Sequence, residues 1–271
     1  MTRTRLERDD GLAVLTLDNP PLNQISGELV DDLIAAVDTL EGSDVRALLV
    51  RASGDLFSAG ADVQLFAGRS AAKIRPLIAR FLELGRRVEA LPFPTLGAVH
   101  GLCVAAGLEL VLFLDLIWAA EDTKLGLLET RLGIVPLAGG IERVAARAGV
   151  GRARAIALSG NLFPAEQFEA WGIIDRVLPA EELHSHAERF AKRLAAGPTR
   201  AFAAVKRFTA AYTEGGVVAA DQRLLEDAVG SSTRMTPGTR SSRSSPPGPA
   251  MRRSPGVERR MAVAPRRDRA R

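Results

Sequence analysis

Glu109 stands in the middle of an apolar run, "GLCVAAGLELVLFLDL" (101–116). An ionised carboxylate buried there without partners would cost many kcal/mol. Such a group survives only if it is paired, held at the surface by amphipathic geometry, or used, and the use open to a carboxyl is proton transfer. Two turns of small residues suggest a second chemistry. In "FSAGADVQLF" (57–66), Gly60 between two alanines lets the backbone turn with no Cβ in the way, which can leave N–H groups pointing into a cleft. "VAAGLEL" (104–110) has the same character and opens a helix, whose first N–H groups are unsatisfied and favour negative charge. Taken singly, either turn more often means close packing than an anion site.

These residues need a scaffold, and the chain alternates strand and helix patterns. The aliphatic runs 12–19, 46–53, 95–101, 116–122 and 173–179, bounded by Gly, Pro, Asp or Asn, predict strands. "SGELVDDLIAAVDTLE" predicts a helix capped by Ser26, with an apolar face at Leu29, Leu33, Ile34 and Val37. "AKIRPLIARFLELGRRVEAL" repeats apolar residues at helical spacing up to Pro92. After Pro179, "AEELHSHAERFAKRLAAG" and "TRAFAAVKRFTAAYTEGG" predict two more amphipathic helices, each ending at Gly. The expectation is an α/β protein with a helical C-terminal region.

At 271 residues and 46% hydrophobic content the chain can bury a sizeable core. Its single cysteine, Cys103, excludes an internal disulfide framework and reads as core. The first residues lack the apolar run and cleavage signature of a secretory signal, so a cytoplasmic protein is expected. The run from Gly101 to Ala120 approaches the length of a membrane span, but Glu109, Asp115 and two glycines argue against one. No P-loop, dinucleotide fingerprint or metal-ligand cluster occurs, and "HSH" (184–186) does not face two ligands one way. No cofactor or metal is expected.

Three ordered motifs raise the specificity: "FSAGADV" (57–63), "AVHGLCVAAGLEL" (98–110) and "LETRLGIVPLAGGIERV" (128–144). They resemble the signatures of the enoyl-CoA hydratase/isomerase, or crotonase, superfamily, which look like "FCAGADI", "AVNGxAxGGGxEL" and "PExxLGxxPGxGGxxRL". The likeness runs from about Gly11 to Gly216 and includes "LSGNLFPAEQFEAWGIIDRVLP" (158–179). It implies a crotonase-like spiral of ββα units over residues 1–180, followed by a helical region over 181–230. It also implies an enoyl-CoA hydratase acting on an acyl-CoA thioester, with coenzyme A entering as part of the substrate. The nearest enzymatic rival is an isomerase or another thioester enzyme of the same fold.

By that resemblance the backbone N–H groups of Ala61 and Ala106 form an oxyanion hole for the thioester oxygen. Glu109 and Glu129 correspond to the two catalytic glutamates, with acid and base left unassigned between them. Against this stand plainer readings: Glu109 as a helix-face carboxylate paired with an arginine, Glu129 as a surface acid beside Arg131. Ala59, Gly60, Asp62, Gly107 and Leu137 are expected around the substrate, the Ala59 carbonyl accepting from the adenine amino group. Arg51, Arg69 and Lys73 remain undivided candidates for the phosphates. The chain has Ala105 and Ala106 where the family has glycines, Leu137 where it has glycine after the proline, and His100, expected to brace its turn, where it often has Asn. A homotrimer or homohexamer is implied if the C-terminus is intact.

The tail breaks the pattern. Residues 231–271 hold eleven Arg, two acids and six of the fifteen prolines, a net of +9, so residues 1–230 carry −5 against the chain's +4. This segment is expected to be disordered. Neither nucleic acid nor membrane is expected as a partner; a non-catalytic nucleic-acid-binding protein using the basic tail is the alternative from another class, and would show salt-dependent affinity. The family resemblance stops after "LLEDAVG" (224–230). With synonymous codons suited to a GC-rich gene, restoring one C after the Gly230 codon turns Ser231–Val257 into "LFDTDDARNAVFAFLAAGPGHATFAGR", which resembles the missing family C-terminus. Residues 231–271 are therefore expected to be translated out of frame.

Overall fold

The computed structural model describes residues 2–62, 68 and 70–232, with side chains given as far as 227. In chain order the strands are β1 (Thr4–Asp9), β2 (Leu12–Leu17), β3 (Ala47–Ala52), β4 (Thr95–Val99), β5 (Leu102–Val104), β6 (Leu116–Ala120), β7 (Lys124–Gly126), β8 (Phe163–Pro164) and β9 (Arg176–Leu178). The helices are α1 (Gly27–Asp38), α2 (Ala71–Ala90), α3 (Ala106–Val111), α4 (Gly140–Ala148), α5 (Val150–Ser159), α6 (Ala165–Ala170), α7 (Ala180–Ala195) and α8 (Thr199–Ser232).

The larger sheet has the order β1-β2-β3-β4-β6-β9. Only the β1–β2 hairpin is antiparallel; the other strands pair in parallel. Parallel strands are covered on both faces, which is why β2, β3, β4 and β6 read as nearly continuous aliphatic runs. Along β3, Leu48, Val50 and Ala52 join the core on one face while Ala47 and Leu49 join the core on the other. That second core is sealed by α7, whose Leu183, Ala187, Ala191 and Ala195 recur every four residues and are all buried.

A smaller sheet, β5-β7-β8, lies beside the larger one. Isolated bridges Ser58↔Cys103 and Ile25↔Ala61 extend its ladder. The chain therefore repeats a unit: a strand of the large sheet, a strand or bridge of the small one, then a helix, as in β4–β5–α3. This is the expected ββα spiral, and it brings the 58–61 turn alongside the start of α3.

The five expected strands are β2, β3, β4, β6 and β9. Sequence reasoning missed β1, whose "TRLERD" is mostly exposed at the sheet edge, and β5, β7 and β8, each only two or three residues long. Ser26 caps α1 as expected, its Oγ accepting from the Leu29 N–H at 3.2 Å. The helix expected over "TRAFAAVKRFTAAYTEGG" does end at its glycines, and a further helical stretch follows them within α8. Gly215 and Gly216 take non-helical angles and break α8, after which it resumes to Ser232, and Arg207 pairs with Asp227 across the break at 2.5 Å. Residues Met1–Gly230 form one compact unit. The expected disorder and frame of the tail concern residues that, from 233 on, lie outside the described ones. Among the described residues no helix is long and apolar enough to cross a membrane.

Candidate active site

Two turns with left-handed backbone meet here. Gly60 has φ +90°, and Ala105 has φ 50° with ψ −128°. Each immediately precedes one of the two residues expected to offer an N–H. A Cβ on Gly60 would lie 2.8 Å from Ala105 Cβ and 3.1 Å from the Val104 oxygen, so the turns touch with no room for a larger residue. Among the described residues, neither the Ala61 nor the Ala106 N–H donates to another backbone carbonyl. Ala106 begins α3, where N–H groups have no intrahelical acceptor. Gly107 comes next, and a Cβ there would lie 2.6 Å from Ser58 Cβ. That close approach explains why glycine persists at 107 while alanine is accommodated at 105 and 106.

Glu109 is buried, 2% exposed, on the first turn of α3. Among the described residues no arginine pairs with it. Its Oε1 accepts from the backbone N–H groups of Ala138 at 2.8 Å and Gly140 at 2.9 Å. Burial pushes its pKa up to about 7, the Glu129 charge adds to this, and the two N–H groups only partly oppose it. Sequence reasoning missed Ala138 and Gly140 as its partners. The signal lay in the Gly139–Gly140 pair after Pro136: a Cβ at Gly140 would come within 2.8 Å of Glu109 Cγ, so only glycine lets α4 start here.

Glu129 opens a short 3-10 turn, Glu129–Leu132, and is 8% exposed. It is not a surface acid paired with its neighbour Arg131, which reaches Asn161 Oδ1 at 3.2 Å instead. Burial raises the Glu129 pKa, against backbone N–H groups that lower it. Among the described residues its Oε2 is buried without a hydrogen-bond partner. A polar atom so placed is a point where a polar ligand atom would bind.

A cavity of about 360 Å³ connects these groups. Ala59, Ala61, Ala106, Glu109, Glu129 and Leu137 all line it, together with apolar side chains of α1 and α2. Gly60, Asp62 and Gly107 are not on its wall; the two glycines shape the turns, and the Asp62 N–H donates to the Ile25 carbonyl at 3.3 Å. Of the phosphate candidates, Arg51 lies on the α7 side of β3 by strand parity, where it meets Thr16 and Glu7. Lys73 is exposed on α2, and Arg69 lies outside the described residues. His100 braces its turn through Nε2, 2.9 Å from the Gly54 carbonyl. Cys103 is buried in the core, which raises its thiol pKa. Among the described residues no group of three or more His, Cys, Asp or Glu could hold a metal ion.

Comparison with known proteins gives the same outline. A probable enoyl-CoA hydratase of Bacillus subtilis is 35% identical over 202 residues, 71% of this chain and 78% of the relative. One from Mycobacterium avium, probable enoyl-CoA hydratase echA17, is 33% identical over 208 residues, 73% of this chain and 78% of the relative. Among solved structures, an enoyl-CoA hydratase subunit from Geobacillus kaustophilus superposes with a TM-score of 0.81 at 27% identity, covering 86% of this chain and 90% of that one. Its spiral fold and the sequence match of residues 7–240 to the enoyl-CoA hydratase/isomerase family model place the chain in that family.

Proposed function

We propose that this protein is an enoyl-CoA hydratase, adding water across the double bond of a 2-enoyl-CoA. The observation that carries the reading is the pair of buried carboxyls, Glu109 and Glu129, facing one apolar cavity with Ala61 and Ala106. The thioester oxygen accepts from the Ala61 and Ala106 N–H groups. Water oxygen attacks the β-carbon and loses a proton to the carboxyl pair as the double-bond electrons move toward the thioester oxygen, giving an enolate. The enolate then takes a proton at the α-carbon from the pair, and the carboxyls return to their starting charge. Preorganised donors at the oxygen contribute on the order of 3 kcal/mol each to such a step. Burial supports the proton shuttle: it pushes the Glu109 pKa up to about 7 and raises that of Glu129, so protonated carboxyl is more readily available at the site.

Ala59 lines the cavity at the coenzyme A end and Leu137 at the acyl end, while Gly60, Asp62 and Gly107 lie behind the wall and shape it. A homotrimer or homohexamer in the cytoplasm, given an intact C-terminus, is part of this reading. It is supported by the exposed Val217, Val218 and Leu225 of α8, at 63%, 69% and 67%, which a neighbouring copy would cover. The deciding experiment tracks the conjugated-thioester absorbance of crotonyl-CoA with purified protein. Loss of absorbance with formation of 3-hydroxybutanoyl-CoA is expected; unchanged absorbance would refute the hydratase reading.

A further inference from the structure

A second apolar hollow lies next to the site. It is a groove of about 550 Å³ along α2, bordered by Ala71, Ala72, Ile74, Arg75, Ile78 and Leu137. Of these, Ile78 and Leu137 also line the catalytic cavity. Among the described residues they are the two side chains that border both spaces, and both are half-buried.

We infer that Leu137 and Ile78 form a partition that sets the acyl chain length this site accepts, confining it to short and medium 2-enoyl groups, with the α2 groove as the path a longer chain takes when the partition is cut back. This rests on the acyl-CoA reading above. The Leu137 backbone is anchored beside the site, between Pro136, which fixes its own φ, and Ala138, whose N–H is bonded to Glu109. Ile78 sits on the regular helix α2 with Ile74 one turn before it, so the two present one apolar face to the groove. The cavity itself, at about 360 Å³, is near the small end of the roughly 300–1,000 Å³ usual for ligand sites. A glycine or alanine at 137 would leave the cavity open to a groove whose aliphatic wall suits further methylenes. Each methylene sequestered there raises affinity about fourfold.

The test uses the full chain and its Leu137→Ala and Ile78→Ala variants. Binding of butanoyl-CoA and dodecanoyl-CoA is measured by calorimetry, and hydration of the matching 2-enoyl-CoAs by absorbance. Each variant is expected to raise the preference for the twelve-carbon over the four-carbon ligand by about tenfold or more, in Kd and in kcat/KM alike. Ile78→Phe should move the preference the other way. Preferences within twofold of the parent in Leu137→Ala and Ile78→Ala would overturn the partition, as would a parent chain that already prefers the longer ligand tenfold. Because Leu137 neighbours the Glu109 cradle, Ile78→Ala on the separate helix decides if Leu137→Ala fails to fold. Hydration with an unmoved length preference removes the partition and keeps the hydratase. A shifted binding preference without hydration does the reverse, and no acyl-CoA binding at all overturns both.

Discussion

Replacing Glu109 by Gln separates what this residue costs the fold from what it does. The amide keeps an oxygen for the Ala138 and Gly140 N–H groups, so the cradle survives. What disappears is the buried charge. The Glu109 pKa rises from an ordinary 4.5 to about 7, so the native state holds a proton that the unfolded chain has released. A raised carboxyl pKa leaves stability intact below about pH 4.5 and removes it as pH climbs through about 7. At 1.36 kcal/mol per unit, the loss is on the order of 3 kcal/mol once Glu109 is ionised. Glu109→Gln has no such loss. Urea unfolding at about pH 9 should find the variant more stable than the parent by up to that amount, and the advantage should shrink toward zero near pH 4.5. Over the same preparations, hydration of crotonyl-CoA should fall by about 10² to 10⁴, the worth of a positioned acid–base group. A variant that loses stability equally at both pH values would refute the burial account. Retained turnover would refute the catalytic one.

Other perturbations bear on the remaining parts of the site. Glu129→Gln removes a charge that raises the Glu109 pKa, so Glu109, monitored by NMR titration, should titrate below its parent value; an unmoved titration would mean that the two groups are not coupled. Ala105→Gly relieves a residue at φ 50° and ψ −128° and should stabilise the fold by about 1 kcal/mol in thermal or urea unfolding; a loss of stability would contradict the strain. Ala61→Pro deletes one oxyanion donor and should abolish hydration, whereas Ala106→Gly keeps its N–H and should be tolerated, with circular dichroism and analogue binding read alongside to separate chemistry from misfolding.

How legible the protein was depended on whether a feature is local. Strands β2, β3, β4 and β6 announce themselves because both faces are buried and the aliphatic run is unbroken. β1 escapes because its "TRLERD" faces water at the edge, and β7 and β8 because they are too short to show a period. Glu109 was conspicuous as a carboxylate in an apolar run. Its cradle was not, since Ala138 and Gly140 reach it from 29 and 31 residues away and act through backbone atoms that any residue type possesses. Glu129 beside Arg131 has the local look of a surface acid; only the family resemblance marked it as catalytic, and the fold buries it. The position of Leu137 between two hollows is tertiary information, contributed jointly by α2 and the loop before α4.

The C-terminal end joins sequence and structure in one physical question. The second half of α8 presents Val217, Val218, Leu224 and Leu225 to solvent, at 63%, 69%, 48% and 67% exposure. Clustered aliphatic side chains on one helix call for a cover, either a neighbouring copy or the C-terminal stretch of the same chain. In this sequence that stretch is residues 231–271, with eleven Arg, six Pro and few large apolar residues, a composition that cannot bury an apolar helix face. With the synonymous codons of a GC-rich gene, restoring one base after the Gly230 codon gives a peptide containing "AVFAFLAAG", whose Val, two Phe and Leu could. Resequencing the gene at this point should reveal the missing base. A chain carrying the restored frame should melt at a higher temperature than the present chain, elute as a larger assembly and hydrate crotonyl-CoA faster. If neither alternative frame encodes an amphipathic segment there, the tail is native. The α8 face must then be covered by subunit contacts alone, which size-exclusion chromatography with light scattering on the present chain would show as a stable oligomer.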